Sequence, residues 1–204
     1  MGVMNESSLI QEAKRGDVEA FNQLVLDHQD VAYTVAYRIL GERDAAADAT
    51  QEAFISAFRK LHQFKGDHFK PWLMRIVTNA CYDELRRRQR RPAGSLEDTL
   101  EVTSGADDLY LHTPQENPEQ AAQRNELNTA IQDCINDLPD EQRVVAVLAD
   151  VEGYPYQEIA EITGMQLGTV KSRLSRARNR LRDCLQDVRE LLPAAFRLVD
   201  NEAL

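Results

Sequence analysis

Two short helices joined by a glycine turn are predicted by residues 156–182, YQEIAEITGMQLGTVKSRLSRARNRLR. The second helix has an apolar face whose members recur at helical spacing: Val170, Leu174, Ala177, Leu181 and Leu185. Its other face carries cations and hydroxyls, since residues 168–182 hold six basic side chains and no acid. A helix that packs one face on a core and presents such groups on the other suits the major groove of DNA.

The turn between these helices is typical of a helix-turn-helix unit. Ile159 and Ala160 are expected to pack the first helix, and Gly164 permits the left-handed backbone of the turn. The candidate DNA contacts are six residues of the second helix: Thr169, Lys171, Ser172, Arg173, Ser175 and Arg176. Lys171 and Arg176 are candidates for guanine edges or phosphates, whereas Arg173 and the later arginines flank this face and are expected to meet phosphates. The competing interpretation is a surface helix whose basic face is only solvated.

The charge of the chain is negative overall but unevenly placed. The 204 residues carry a formal net charge of −10, which argues against a protein that coats nucleic acid indiscriminately. Residues 70–91 nevertheless hold seven Lys or Arg against two acids, and residues 92–122 hold seven acids with no Lys or Arg. Local fields, rather than the total charge, decide where a phosphate backbone can bind.

Composition also narrows the class of protein. Cys81, Cys134 and Cys184 form no C-x-x-C pair, so we expect reduced thiols in a soluble, cytoplasmic protein. The histidines show no metal-ligand spacing, and neither a metal nor a cofactor is predicted. The N-terminus lacks an apolar signal segment, and no apolar run is long enough to span a membrane. No catalytic constellation is visible, so we predict a protein that is not an enzyme.

The periodicity of the remaining chain predicts an all-α fold without strands. The predicted helices cover residues 7–15, 17–40, 44–61, 70–91, 119–137, 140–152, 156–163 and 168–190. Gly41 is expected to end the second helix and Asp44 to cap the third. Pro71 suits the first turn of the helix that follows it.

A segment without periodicity separates two helical halves. Residues 92–118, PAGSLEDTLEVTSGADDLYLHTPQENP, are rich in Pro, Gly, Ser and Thr and are typical of a linker. We therefore predict a first domain at 1–92, an acidic flexible linker at 93–122, a second domain at 123–190 and a tail at 191–204. The linker is either a solvated tether or an acidic strand that occupies a basic channel in a partner until nucleic acid displaces it. The tail is either a frayed extension or a small regulatory contact.

A second nucleic-acid surface is predicted on residues 70–91, KPWLMRIVTNACYDELRRRQRR. An aromatic, an amide and several arginines share one helix face, which suits single-stranded or distorted nucleic acid. The face opposite the apolar side carries Trp72, Arg75, Asn79, Asp83, Arg86 and Arg90. Trp72 has a second interpretation, as a side chain half-buried against the preceding helix. The terminal arginines are either phosphate contacts or a solvated helix end that complements the helix dipole.

These blocks together resemble bacterial sigma factors. DAAADATQEAFISAFRKLHQFKG followed by KPWLMRIVTNACYDELRRRQRR is similar to region 2 of that family, and LPDEQRVVAVLADVEGYPYQEIAEITGMQLGTVKSRLSRARNRLRDCL is similar to region 4. With two such domains and a linker, residues 8–190 resemble the small extracytoplasmic-function (ECF) group. The resemblance implies a subunit that binds core RNA polymerase, recognises the −35 and −10 promoter elements and opens DNA at the −10 element.

The resemblance also implies roles for particular residues. Core-polymerase binding falls on four residues of one helix: Asp48, Gln51, Glu52 and Phe54. Contacts to the −10 element fall on Lys70, Trp72, Arg75, Asn79, Arg86 and Arg90. The −35 contacts fall on the helix-turn-helix residues named above. Relatives are commonly held inactive by an anti-sigma protein, which is therefore an expected partner. Lys171 stands where an arginine is more usual and lacks its fork geometry.

Two other classes of function compete with this interpretation. A stand-alone helix-turn-helix regulator would bind operators without polymerase, and it would be indifferent to charge reversal at Asp48 and Glu52. An enzyme acting on nucleic acid would require a metal-binding acid cluster or an activated Ser or Tyr, and neither is apparent in the sequence.

Overall fold

The computed structural model describes residues 5–66, 68–90 and 117–188, and every regular element within these ranges is helical. The helices are α1 (Glu6–Lys14), α2 (Val18–Leu40), α3 (Arg43–Lys60), α4 (Phe69–Arg90), α5 (Pro118–Asn136), α6 (Asp140–Ala146), α7 (Tyr156–Thr163) and α8 (Leu167–Asp187). A short 3-10 turn, Leu61–Gln63, follows α3, and a π-helical stretch, Val147–Val151, continues α6. Where the predicted ends lie within the described residues, they agree with the structure to within one residue, if the π-helical stretch is counted with α6. The predicted ends at 91 and 190 lie outside the described residues, and α8 ends at Asp187.

The helix ends follow local chemistry. Gly41 and Gly164 end α2 and α7 in the left-handed conformation, with φ of 76° and 71°, as predicted. Asp17 caps α2 because its carboxylate accepts hydrogen bonds from two backbone amides of the first turn. The predicted cap at Asp44 is wrong: α3 begins one residue earlier, at Arg43, and Asp44 lies within its first turn. A carboxylate there still complements the helix dipole.

Helices α1–α4 form the first helical unit. Each of α2, α3 and α4 buries an apolar stripe against the others, and α1 closes one end of the bundle. Its fully buried large side chains are Leu9, Leu24, Val35, Ile39, Leu61, Phe69, Leu73, Met74 and Val77. This core fixes the orientation of α4, and with it the direction in which the polar face of α4 points.

Helices α5–α8 form the second helical unit. Helix α6 lies against α8, and α7 packs across the start of α8 through the turn at Gly164. Ile159 and Ile162 of α7 meet Val170 and Leu174 of α8 in a small buried core. The helix-turn-helix prediction is confirmed, since the second helix keeps its apolar stripe inside.

The two units pack on each other, an association that we call the packed arrangement. The guanidinium of Arg143 in α6 is buried and donates to the Ile39 carbonyl of α2 at 2.8 Å. Arg38 of α2 donates to Gln132 of α5 at 3.0 Å. A Cβ at Gly41 would lie 2.6 Å from a side-chain atom of Asn136, so this glycine permits close approach of the two units. Buried apolar residues of both units belong to one continuous cluster.

The expectation of three reduced thiols is wrong for two of them. Cys134 of α5 and Cys184 of α8 form a disulfide with Cα atoms 5.8 Å apart, while Cys81 is a free, buried thiol. The pairing joins positions 50 residues apart, so sequence spacing gave no sign of it. Within the described part of the chain, no helix is both long and apolar enough to cross a lipid bilayer.

Candidate nucleic-acid and polymerase interfaces

The exposed side of α8 carries most of the predicted −35 contacts. Lys171, Ser172, Ser175 and Arg176 are exposed, and Thr169 is half-buried in the first turn. The Ser172 hydroxyl donates to the Thr169 carbonyl at 3.1 Å, which leaves its oxygen able to accept. We call these five residues the recognition face. They lie opposite the buried Val170, Leu174 and Ala177, so packing of α8 aims them at solvent.

Two arginines of α8 have structural partners instead. Arg173 forms an ion pair with Glu141 of α6, and its guanidinium also donates to the Met165 sulfur at 2.7 Å. Arg178 donates to both carboxylate oxygens of Asp150, and this hydrogen bonding raises the pKa of its guanidinium. The structure places Arg173 apart from the other five predicted contacts, because an acid on α6 binds its charge. Both arginines fasten α8 to the preceding elements.

The predicted −10 contacts are spread along α4. Arg75, Asn79, Arg86 and Arg90 are exposed and follow one another at spacings of four, seven and four residues, which places them on one face of the helix. We call these four residues the α4 stripe. Their side chains point away from the core that holds Leu73 and Val77.

The start of α4 lies beside the second unit. Trp72 is half-buried, with its ring 5.0 Å from Phe64 and 5.5 Å from Phe69. The predicted half-burial is confirmed, but these ring partners lie in the loop and the first turn of α4 rather than in the preceding helix. Lys70 lies 3.5 Å from Glu152 and 5.4 Å above the Tyr154 ring. Both predicted contacts therefore touch other protein groups in the packed arrangement.

An open cleft of about 690 Å³ separates the start of α4 from α7. The first unit contributes Lys65, Lys70, Trp72 and Arg75 to its lining, among others. The second unit contributes Tyr154, Glu158, Glu161 and Ile162. One wall is thus basic and aromatic, and the other carries two carboxylates that would repel a phosphate.

The arginine cluster at the end of α4 divides into two sets. Arg88 donates to the Leu40 carbonyl at 3.2 Å and to both carboxylate oxygens of Glu42, so it covers the end of α2. Arg87 donates to Glu84 at 2.6 Å, and this bond holds the pKa of that carboxyl below its usual value. Arg88 therefore joins α4 to the end of α2, and Arg87 pairs within α4, while Arg86 and Arg90 stay exposed.

The predicted polymerase-binding residues lie on α3. Asp48, Gln51 and Glu52 are exposed along one side, but Phe54 is only 8% exposed and belongs to the core. Phe54, predicted to bind polymerase, is not available as a surface contact in this structure, because its side chain lies in the core. The structure shows instead two exposed apolar side chains on this helix that sequence reasoning missed: Ile55 is 45% and Phe58 44% exposed.

Among residues 5–66, 68–90 and 117–188, no group of three or more His, Cys, Asp or Glu side chains is arranged to hold a metal ion. His28 is buried against the Phe69 ring at 5.3 Å, and burial is the largest cause of its lowered pKa. It packs the first unit and lies 4.0 Å from Glu6, which lines the cleft.

Family comparison identifies the two halves of the chain. The model of the Sigma-70 region 2 family matches residues 24–91, and that of the Sigma-70 region 4 family matches residues 128–181. The RNA polymerase sigma-H factor of Pseudomonas aeruginosa is 35% identical over 89% of this chain and 94% of its own length. The chain belongs to the ECF group of RNA polymerase sigma factors. The recognition face thus lies in region 4 and the α4 stripe in region 2.

Other sigma factors agree in sequence and fold. The ECF sigma factor SigW of Bacillus subtilis is 36% identical over 88% of this chain and 96% of its own length. SigE of Mycolicibacterium smegmatis is 38% identical over 81% of this chain. The match spans only 62% of the length of SigE, which is the longer protein. Two solved structures share the fold, each at a TM-score of 0.62. CnrH in complex with the cytosolic domain of CnrY is 25% identical, over 90% of this chain and 99% of that chain. RpoE of Bartonella quintana in complex with the anti-sigma factor NepR is 27% identical, over 81% of this chain and 96% of that chain.

Proposed function

We propose that this sigma factor binds core RNA polymerase and directs it to promoters by contacting a −35 element with the recognition face and a −10 element with the α4 stripe. The observation that carries the proposal is the presence, on one chain, of two exposed basic helix faces. One lies within the region 4 match and the other within the region 2 match. In this role the protein catalyses no reaction of its own and holds no cofactor.

The recognition face has the chemistry for duplex DNA. Arg176 can donate two hydrogen bonds to a guanine edge, and Lys171 offers a point charge to a guanine or a phosphate. Ser172 and Ser175 can donate or accept at either bases or backbone. Gly168, without a side chain, leaves the first turn of α8 open to a phosphate oxygen, because a helix N-terminus favours an anion.

The α4 stripe has the chemistry for opened DNA. Arginines along one helix face follow a phosphate backbone, and Asn79 can pair with a base edge between them. Trp72, beside the stripe, offers a ring on which an unstacked base can stack. Extruding a base costs a few kcal/mol, so such contacts must supply a comparable free energy.

The packed arrangement is too compact for both promoter elements at once. The elements lie about 25 base pairs apart, and at roughly 3.4 Å per base pair this separation is on the order of 85 Å. In the packed arrangement, α7 lies against α4, and α8 lies against α6 and α7. The 27 peptide links between Arg90 and Asn117 can span at most about 90–97 Å. We therefore expect the two units to separate when the protein docks on polymerase and promoter.

Polymerase docking is assigned to the exposed side of α3. Asp48, Gln51 and Glu52 present acids and an amide, and Ile55 and Phe58 add exposed apolar area beside them. A patch with an apolar centre and a polar edge is typical of a protein interface. Polymerase binding places the protein in the cytoplasm. An anti-sigma partner is supported by the solved complexes of CnrH with CnrY and of RpoE with NepR.

Reconstituted transcription tests this function. Core polymerase with the purified protein should start transcripts at discrete positions on a library of genomic fragments from the native cell, and core polymerase alone should not. A stand-alone regulator would instead retain fragments without polymerase and start none. Absence of any chain-dependent start across the library would contradict the proposal.

A further inference from the structure

The disulfide joins α8, which carries the recognition face, to α5, which also contacts the first unit. Cys134 lies in the buried last turn of α5, whereas Cys184 of α8 is partly exposed. The rest of the seam between α5 and α8 is closed by partly buried side chains such as Ile131 and Leu181. The sulfur–sulfur bond is therefore the strongest connection between these two helices.

Helix α5 also contacts α2 in the first unit. The Gln132 amide accepts a hydrogen bond from Arg38 at 3.0 Å, and its nitrogen donates to Asn136 at 2.9 Å. Asn136 in turn packs on Gly41, at the end of α2. Residues 132 to 136 of α5 thus hold the first unit with side chains that flank Cys134 on both sides.

We propose that Cys134 and Cys184 form a thiol–disulfide switch that strengthens the packed arrangement when oxidised and loosens it when reduced. The second unit meets the first unit on two helices: α5, α6 and the π-helical stretch lie against α2, and α6 and α7 lie against α4. When α5 is bonded to α8, both contacts belong to one rigid body and support each other. When the bond is cut, α5 is linked to α8 only by packing and through α6, whose Arg143 donates to α5 carbonyls. The constraint on α8 is then looser, and the effective concentration of the contacts on α4 falls.

Redox chemistry favours this pair over the third cysteine. Cys81 is fully buried in α4, and burial raises the pKa of its thiol to about 12, so it supplies almost no thiolate for exchange. Cys184 is the more exposed residue of the bonded pair. Disulfides in a reducing compartment are typically transient and redox-sensing rather than permanent.

The exchange balances with a small thiol as the reductant. A small thiolate attacks the Cys184 sulfur, and the Cys134 sulfur leaves as a thiolate and takes up a proton. A second small thiolate then attacks the mixed disulfide and releases Cys184, which is also protonated. The protein pair gains two electrons and two protons, and two small thiols become one small disulfide. A small disulfide such as oxidised glutathione drives the reverse reaction.

The switch has a consequence for transcription that rests on the proposed function. Core polymerase requires separated units, so a stronger packed arrangement lowers the fraction of chain that is competent to bind. The oxidised protein should therefore bind core polymerase more weakly than the reduced protein. The thiol chemistry and the packing can be measured without polymerase.

The test uses Trp72, the single tryptophan of the chain, as a reporter in the first unit. Its ring lines the cleft whose opposite wall is Tyr154 and Glu158 of the second unit, so separation exposes it to solvent. The full chain is treated with oxidised or reduced glutathione, and the Cys134–Cys184 linkage is followed by mass spectrometry of peptides. Acrylamide quenching of Trp72 should be greater in the reduced protein. The variant C134S/C184S should match the reduced protein in both buffers, and C81A should respond like wild type.

Three results would overturn the switch. One is the failure of the Cys134–Cys184 linkage to form in oxidised glutathione. Another is a linkage that forms without any change in Trp72 quenching, which would make it a brace within the second unit only. The third is a redox response that persists in C134S/C184S. If Trp72 responds as expected but the protein never supports transcription, the switch stands and the proposed function fails.

Discussion

The guanidinium of Arg143 donates to the Ile39 carbonyl at 2.8 Å, across 104 positions of sequence, and joins the two helical units. The same side chain also donates to the carbonyls of Ile135, Asn136 and Leu138. One buried cation thus covers the ends of α2 and α5 together, where backbone acceptors have no helical partner.

Replacement of Arg143 should destabilise the protein strongly. In R143Q the shorter amide cannot reach four carbonyls, and buried acceptors left without donors cost about 1–3 kcal/mol each. We expect the free energy of unfolding, measured by urea titration and circular dichroism, to fall by about 3 kcal/mol or more. R178Q is the matched control, because its ion pair with Asp150 is exposed and should contribute less than about 1 kcal/mol. Equal losses of unfolding free energy in the two variants would show that Arg143 contributes no more than a surface ion pair.

Loss of Arg176 should weaken promoter binding without unfolding the protein. R176A removes an exposed side chain, so its thermal midpoint should match wild type. Loss of a bidentate contact to guanine costs about 1–3 kcal/mol, or roughly 5–150-fold in affinity. K171A should show a smaller loss, since lysine makes one contact. Both effects are measured with reconstituted holoenzyme on promoters with an intact or a scrambled −35 element.

R173A separates a structural arginine from the contacting ones. Because Glu141 binds the Arg173 guanidinium, this variant should lose thermal stability and should weaken binding to intact and scrambled −35 elements alike. A selective loss on the intact element in R173A, with an unchanged thermal midpoint, would restore it to the recognition face.

The difference between structural and exposed side chains also explains which parts of these surfaces could be predicted from the sequence. Helix type and limits were predictable because they depend on local features: apolar spacing, the left-handed glycines at 41 and 164, and Pro71 near the start of α4. The burial of Phe54 and the ion pair of Arg173 could not be foreseen, because a distant partner decides each position. For Phe54 this is the packing of α3 on its neighbours, and for Arg173 an acid 32 positions away. The Cys134–Cys184 pairing was missed for the same reason.

Charge reversal on α3 should remove polymerase binding selectively. D48K/E52K changes two exposed side chains one turn apart, so the fold should tolerate it, while an interface that recognises acids would meet like charge. Binding to core polymerase, measured by co-sedimentation, should be lost, and the unfolding midpoint should stay near wild type. F54A should behave in the opposite way, because emptying a buried phenylalanine site costs about 3–5 kcal/mol of stability. Polymerase binding that survives D48K/E52K would exclude this face of α3.

Stability should fall as the pH falls through about 6.5. Burial is the largest cause that holds the pKa of His28 below its ordinary value of 6.5; Lys70 acts in the same direction, while Glu6 and Asp27 oppose it. Below 6.5 the unfolded chain binds a proton at His28 that the folded chain resists, so protonation favours unfolding. The urea midpoint of wild type should therefore drop between pH 7.5 and 5.5, and the drop should be smaller in H28Q. H68Q, at an exposed position, is the control and should keep the full drop. A drop of equal size in all three proteins would place the proton uptake elsewhere.

The separation of the two units on promoter DNA tests the central claim most directly. Fluorophores attached through non-natural amino acids at the exposed positions Asp83 on α4 and Asn179 on α8 report the distance between the units by energy transfer. In the free protein transfer should be efficient, and in the complex with core polymerase and an opened promoter it should fall to nearly zero, since the elements lie roughly 85 Å apart. Efficient transfer that persists while the same sample makes transcripts would contradict the account.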